Sequence, residues 1–392
     1  MKSRPVHVWT KALVLSLILA SFMASYLGDV EASQTPAPQF LNGVVTPRIG
    51  YPAFITVDGA FEAKVILVQG ADVWSAGLSN ELKTYKLTVD SVSKNSTDNT
   101  AILKVTARDV APGLYALELT ASTSAGAVVA HVREPNCVSV RRSFQLPFRV
   151  MFVADPHIDT TPGLSLNFRR IVRLANFLRP DFIVLAGDVV NFGRESYFSL
   201  ANVLIQDLEE PIILAPGNHD HALEGEFFVK YLAPWYGSVD VGPVHIVTVE
   251  TGPGSITGEI PGSQLSWLQN DLARTTQSKF KILMFHHPMF DVDKPRNETV
   301  QAVYPIAAAY GVNIILNGHM HEDIVFHGPV LTLVNPNAYE GGRPYTGFRM
   351  LTISENGIDY SYAGGEKSIA LYDFDIDYSQ PNDGESFGIV VE

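Results

Sequence analysis

Five times in the second half of this chain, an apolar run ends in aspartate, asparagine or histidine. Phe148 to Ala154 leads into Asp155-Pro156-His157-Ile158-Asp159. Phe182 to Ala186 leads into Gly187-Asp188-Val189-Val190-Asn191. Pro211 to Pro216 leads into Gly217-Asn218-His219-Asp220-His221, and Lys279 to Phe285 into His286-His287-Pro288. Val312 to Leu316 leads into Asn317-Gly318-His319-Met320-His321. Runs this short and apolar at nearly every position read as strands covered on both faces. Helical spacing lies between them, as in Leu166 to Leu178, where Ile171, Leu174, Ala175 and Leu178 share a face. Pro180 stops that helix. Tyr197 to Leu208, with Leu200, Val203, Leu204 and Leu208 on one side, reads as a second helix. Ser263 reads as the cap of a third, and Val300 to Tyr310 as a fourth. Alternating strands and helices predict an α/β domain with a largely parallel core. In such folds the carboxyl ends of the strands line the ligand crevice, so the five clusters are expected to converge.

The grammar before Pro147 is different. From about Phe40 to Phe144, short alternating runs recur between Gly, Pro, Asn and Asp: Phe54 to Val57, Ala63 to Val68, Leu82 to Val89, Ala101 to Ala107, Leu114 to Thr120 and Val128 to Val132. This predicts an all-β, immunoglobulin-like sandwich. No catalytic cluster falls in it, which suggests a positioning or interaction module. The expected fold is thus an N-terminal sandwich (residues 40–146) followed by an α/β domain of layered sheets flanked by helices (residues 147–365).

The chain has 392 residues and is 46% hydrophobic, enough for one large or two ordinary domains. Its net charge of −13, with no basic run, argues against nucleic acid as the main partner. A single cysteine, Cys137, excludes an intramolecular disulfide and reads as an apolar filler in a strand. Residues 1–32 read as a signal peptide: Lys2, Arg4 and Lys11 precede the uncharged stretch Ala12 to Tyr26, and Val30-Glu31-Ala32 precedes a cut before Ser33. The alternative is an uncleaved anchor through residues 12–28. Either places the bulk of the protein outside the cytoplasm, and membrane association arises only from an uncleaved segment. Residues 33–39 read as a linker. Asn95-Ser96-Thr97 and Asn297-Glu298-Thr299 are glycosylation sequons, usable only where the host glycosylates. The tail, 366–392, holds seven acids against one lysine. Asp373, Asp375 and Asp377 alternate with apolar residues, which predicts a half-buried strand with a solvated acidic face.

Mixed imidazole, carboxylate and amide donors suit Mn, Fe or Zn better than Ca or Mg. Seven good ligands are too many for one ion. Two adjacent ions sharing one strand-end carboxylate would use them all.

The ordered series Asp-x-His, Gly-Asp, Gly-Asn-His-Asp, His-His-Pro and Gly-His-x-His resembles the calcineurin-like metallophosphoesterases, over about Phe148 to Tyr362. The resemblance implies that Asp155, His157 and His321 hold one metal. It implies that Asn218, His286 and His319 hold the other, with Asp188 bridging. His219 would lie beside the leaving-group oxygen, oriented by Asp220, and His287 would be a supporting residue. Asp159, Asn191, His221, His327 and Arg343 receive no firm role. Purple acid phosphatases carry a tyrosine ligand where this chain has Asn191, and they lack the first-motif histidine, so the chain resembles the non-purple dinuclear class. Relatives often have Asn-Pro-Gly-Ser where this chain has Asn335-Pro336-Asn337-Ala338, which puts a substrate-loop analogy there in doubt.

The expected function is metal-dependent hydrolysis of a small phosphate ester by a hydroxide bridging two metals, with His219 assisting the leaving group. The alternative is a phosphodiesterase, with a cyclic-nucleotide or phospholipid-type substrate, rather than a phosphomonoesterase. The rival from another class is a non-catalytic extracellular binding protein with a structural metal site.

Overall fold

The computed structural model describes residues 43–161, 163, 165–221, 226–252, 258–289, 298–339, 346–361 and 365–371. The expected signal segment and linker, Asn297, Arg343 and the Asp373 to Asp377 alternation lie outside them.

Residues 44–141 form eight strands: β1 (Val44–Thr46), β2 (Ala53–Thr56), β3 (Ala60–Ile66), β4 (Val73–Ser79), β5 (Thr84–Asn95), β6 (Thr100–Thr106), β7 (Gly113–Ser122) and β8 (Val128–Arg141). Their order is β1-β3-β6-β5-β4-β7-β8-β2. Thr84 to Leu87 of β5 pair with β4 and Thr88 to Asn95 with β6, the latter pairing shifting register between Val89 and Ser91. Period-two alternation sends Phe61, Ala63, Val65, Leu103, Val105, Leu117, Leu119 and Cys137 into one apolar core. The region is all-β as expected, but three strand readings need correction. Strand β4 is absent from the sequence pattern, because Trp74, Ala76 and Leu78 alternate with serine and glycine, a weak strand signal. Leu82 lies before β5, not in it, and is 93% exposed. There the Asn80 side chain accepts the amides of Leu82 and Lys83, a local turn that overrides strand propensity. Strand β8 runs nine residues beyond Val132, past a buried Glu134 that breaks the apolar pattern.

Glu134 is buried because Arg48 pairs with it at 2.9 Å. The same guanidinium donates to the carbonyls of Val229 (2.9 Å) and Lys230 (2.8 Å). Gly50 donates to Leu232 O and accepts from Leu214 N, and the Phe54 ring meets Phe182 edge-on at 6.1 Å. The eight-stranded region is therefore fastened to the remainder by buried polar and aromatic contacts.

The remainder contains β9 (Phe148–Val153), α1 (Leu166–Leu178), β10 (Phe182–Ala186), α2 (Glu195–Gln206), β11 (Ile212–Ala215), α3 (Phe227–Tyr231), β12 (Gly237–Val241), β13 (Val244–Thr248), α4 (Gly262–Arg274), β14 (Phe280–Met284), α5 (Glu298–Ala309), β15 (Ile314–Asn317), β16 (Ile324–His327), β17 (Leu331–Val334), β18 (Gly347–Ser354), β19 (Gly357–Asp359) and β20 (Ile369–Ala370). One sheet is ordered β11-β10-β9-β18-β19, with β20 on β18, and the other β12-β13-β14-β15-β17-β16. β9, β10 and β11 are mutually parallel, as are β13, β14, β15 and β17.

The apolar runs are explained by three cores. Val150, Phe152, Val184, Ile282, Met284 and Ile314 pack sheet against sheet. Met151, Val153, Ile183 and Leu185 face α1 and α2. Val247, Leu283 and Ile315 face α4 and α5. Every position of β10, β11, β13 and β15 is buried, so periodicity disappears from those stretches of the sequence. Two helix details differ from expectation. Val203 of α2 is 55% exposed, and the buried face is Phe198, Ala201, Leu204 and Ile205. Ser263 is exposed inside the first turn of α4 and Pro261 occupies the cap, where its fixed φ suits a helix entrance.

Candidate metal centre

The crevice lies beyond the carboxyl ends of β9, β10 and β11 in one sheet and of β14 and β15 in the other. Both sheets are needed, since each supplies only part of the donor set. At these strand ends the chain must turn at once and aim a side chain back into the crevice. Asp155, His157, Asp188, His319 and His321 all adopt positive φ, at 51°, 44°, 52°, 70° and 54°. Each such non-glycine conformation costs about 1–3 kcal/mol and persists only where surrounding structure enforces it. Five together in one crevice are strain concentrated at a working site.

Three groups of ligand-type atoms converge: Asp155, His157 and His321; His157, Asp188 and His219; and Asp188, His286 and His319. His157 Nε2 lies 3.0 Å from His321 Nε2, and His321 Nε2 lies 3.3 Å from Asp155 Oδ1. On the other side, His319 Nδ1 lies 3.1 Å from Asn218 Oδ1 and 3.3 Å from His286 Nε2. Asp188 stands between, its Oδ2 at 3.1 Å from His286 Nε2 and 3.7 Å from His157 Nε2. Among the seven residues expected as ligands, six thus enter one of the three groups and Asn218 reaches the third through His319.

Glycines make this crowding feasible. A Cβ at Gly217 would collide with the Asp188 carboxylate, and one at Gly318 with the Asp155 carboxylate. The glycines of Gly-Asn-His-Asp and Gly-His-x-His are therefore close-approach positions.

Second contacts orient the rings. His286 Nδ1 donates to Ala186 O at 2.9 Å, which leaves Nε2 facing the crevice. Asp155 accepts the His319 amide on both oxygens at 3.0 Å. His287 meets Thr251 Oγ1 at 2.7 Å and lies against the His319 ring at 4.3 Å.

The electrostatics suit cations. Burial opposes ionisation of Asp188, but the imidazoles around it, His286 foremost, hold it well below the usual carboxylate range. Burial lowers His157 to about 4, despite Asp188 and Asp155. For His286 the same burial is outweighed by Asp188 and Asp155, which lift it to about 9. Lone pairs of two imidazoles 3.0 Å apart repel unless a proton or a cation lies between them, and anionic carboxylates complete the set. Mixed N and O donors of this kind fit two transition-type cations.

One expected role is corrected. Asp220 does not hold the His219 ring. Its buried carboxylate accepts the backbone amides of Val189, Val190 and Gly217 at 3.1, 3.0 and 2.7 Å. It pins two strand-end loops, and burial together with nearby Asp188 raises its pKa to about 7. His219 is oriented instead by the main-chain carbonyl of Asn191, which accepts from Nδ1 at 2.5 Å. A main-chain acceptor leaves no trace in residue type, which is why the sequence does not point to it.

Of the residues without a firm role, Asp159 accepts from Asn191 Nδ2 at 2.9 Å and buttresses that loop. His221 stacks on Trp235 at 4.5 Å and faces Glu250 at 3.5 Å. His327 is exposed, beside Glu366. Asn335-Pro336-Asn337-Ala338 lies under the first motif, with the Ala338 amide donating to Ala154 O at 3.0 Å.

Residues 148–323 match the calcineurin-like phosphoesterase family. The chain is similar to a cAMP/cGMP dual specificity phosphodiesterase of Mycobacterium tuberculosis, at 31% identity over 41% of this chain and 56% of the relative. A glycerophosphodiester phosphodiesterase of Enterobacter lignolyticus is 27% identical over 28% of this chain and 43% of its own length. The chain thus spans about half the length of these two curated relatives. Among solved structures it is similar to a purple acid phosphatase from yellow lupin seeds, with a TM-score of 0.47 and 13% identity, covering 84% of this chain and 74% of that one. The ordered motifs, their convergence at the ends of two sheets and the match over residues 148–323 agree: through that segment the chain is similar to the calcineurin-like phosphoesterases.

Proposed function

We propose that this protein is a metal-dependent phosphodiesterase. The observation that carries the reading is Asp188 Oδ2, which lies within 3.7 Å of His157 Nε2 and 3.1 Å of His286 Nε2 and so is shared by two donor groups. In this reading Asp155, His157 and His321 would hold one ion and Asn218, His286 and His319 the other, with Asp188 available to both. The bound ions supply neutralisation of phosphate charge and a water of lowered pKa. His219, its Nδ1 proton committed to Asn191 O, presents Nε2 to the crevice and donates to or hydrogen-bonds the departing oxygen. Asp220 keeps the Gly187 and Gly217 loops in register. The diester preference is supported by relatives named for cyclic nucleotides and glycerophosphodiesters.

The wider architecture belongs to the same proposal. Residues 40–146 act as an immunoglobulin-like positioning module, supported by the eight strands and by the bonds from Arg48 to the carbonyls of Val229 and Lys230. Residues 147–365 form the catalytic domain and 366–392 an acidic tail. Residues 1–32 direct the protein out of the cytoplasm, supported by the basic start and apolar stretch.

Turnover of bis(4-nitrophenyl) phosphate against 4-nitrophenyl phosphate, with Mn, Zn or Fe supplied, tests this. Faster diester turnover is expected. Metal-loaded, folded protein that hydrolyses neither would overturn the proposal in favour of a binding protein.

A further inference from the structure

The loop after Asp188 carries an exposed aromatic residue that neither the donor groups nor the core uses. Phe192 is 53% exposed, and its ring lies 5.9 Å from the His219 ring at an interplanar angle of 37°. An isolated exposed phenylalanine is ordinary on a protein surface. This one differs in three ways.

Its place is set by the site. Asn191, the residue before it, holds His219 Nδ1 through its carbonyl, so Phe192 sits beside the imidazole whose other nitrogen, Nε2, is assigned to the leaving group. Its backbone is held at both ends. Asn191 N donates to Ile158 O at 3.0 Å, and Arg194 N donates to Phe192 O at 2.6 Å as α2 begins. A ring on so short and tied a loop is pre-organised, and binding to it costs little ordering. Finally, a cation accompanies it. The Arg194 guanidinium lies 6.0 Å from the Phe192 ring centre and 5.6 Å from that of Tyr197. An exposed ring beside an exposed arginine is the pairing used where a flat, anionic ligand stacks.

Resting on the phosphodiesterase reading above, we infer that Phe192, with Arg194, is a stacking platform that selects diesters whose leaving alcohol carries a flat ring over those with a small aliphatic alcohol. Phe192 is a specificity-determining residue at the leaving-group side of the crevice. It takes no part in proton transfer.

The test compares wild type, Phe192→Ala and Phe192→Trp on bis(4-nitrophenyl) phosphate and on glycerophosphocholine. It also measures binding of adenosine 5′-monophosphate to each metal-loaded protein by calorimetry. One stacked ring corresponds to a factor of about 5–150. Phe192→Ala is therefore expected to lower kcat/KM about tenfold more on the ring-bearing diester than on the ring-free one, mainly through KM. It is expected to weaken adenosine 5′-monophosphate by a similar factor, and Phe192→Trp is expected to restore both. Equal losses on the two substrates, or no loss of nucleotide binding, overturn the platform. Wild type that binds the nucleotide through Phe192 without hydrolysing either diester overturns the phosphodiesterase reading and leaves the platform standing.

Discussion

The main-chain carbonyl of Asn191 accepts a hydrogen bond from His219 Nδ1 at 2.5 Å, while the Asp220 carboxylate next to His219 turns away to three backbone amides. The neighbour in sequence and the partner in space are different residues. This separates two substitutions that look alike on paper. His219→Ala should keep its metals and lose about 10²–10⁴ in turnover. Asn191→Ala retains the carbonyl and should cost far less. Metal analysis and steady-state kinetics on both variants check the pair.

Asp220→Ala leaves the amides of Val189, Val190 and Gly217 without their acceptor. Each buried orphan costs about 1–3 kcal/mol. The expected outcome is a lower Tm and looser metal retention, rather than a shifted pH profile of the kind a lost histidine partner would give. Thermal melts and metal content after dialysis distinguish the two.

Asp188 is shared by both donor groups, so Asp188→Asn should deplete both metals together. Gly217→Ala tests the same carboxylate sterically, because the new methyl would occupy its place. Loss of metal with near-native circular dichroism is expected for each. Full metal occupancy in the Asp188 variant would refute the shared position.

The Arg48–Glu134 pair is 1% exposed on both sides and lies within the eight-stranded region, from which Arg48 also reaches the carbonyls of Val229 and Lys230. Removing one member of a buried pair costs about 3–5 kcal/mol. Glu134→Gln should therefore lower the urea midpoint substantially. The double variant Arg48→Met, Glu134→Leu should lose less than the sum of the single changes, which a double-mutant cycle in urea measures.

His245 is buried between Asp240 at 2.7 Å and Asp271 at 2.8 Å. Burial would lower its pKa, but the two carboxylates outweigh that and raise it to about 9. A pKa raised in the folded state adds stability that is complete below the ordinary value near 6.5 and is lost as pH climbs through 9. Asp240 is largely exposed, so solvent screening reduces the effect to on the order of 1–2 kcal/mol. Urea unfolding at pH 6 and pH 9.5 should show that decline in wild type, and His245→Gln should flatten it.

Strands were legible wherever both faces are covered, as at Phe182–Ala186, and the first helix, Leu166–Leu178, was legible from its stripe and the proline after it. Strand β12 and strand β16 were not. Both are antiparallel edges, where pairing with β13 and β17 stabilises short segments of weak intrinsic signal. Strand β8 looks short in the sequence because Glu134 resembles a strand-breaker until Arg48, 86 residues away, neutralises it.

The candidate site divides in the same way. Donor types and their order after apolar runs are local properties, so the sequence alone determined which residues can hold cations and that they stand at strand ends. Only tertiary structure decided that the ends of two separate sheets meet, since that depends on packing Phe152 and Val184 against Met284 and Ile314. It also decided the partner of His219 and the placement of Phe192, because a backbone carbonyl and an exposed ring have no signature beyond the geometry that brings them to the crevice.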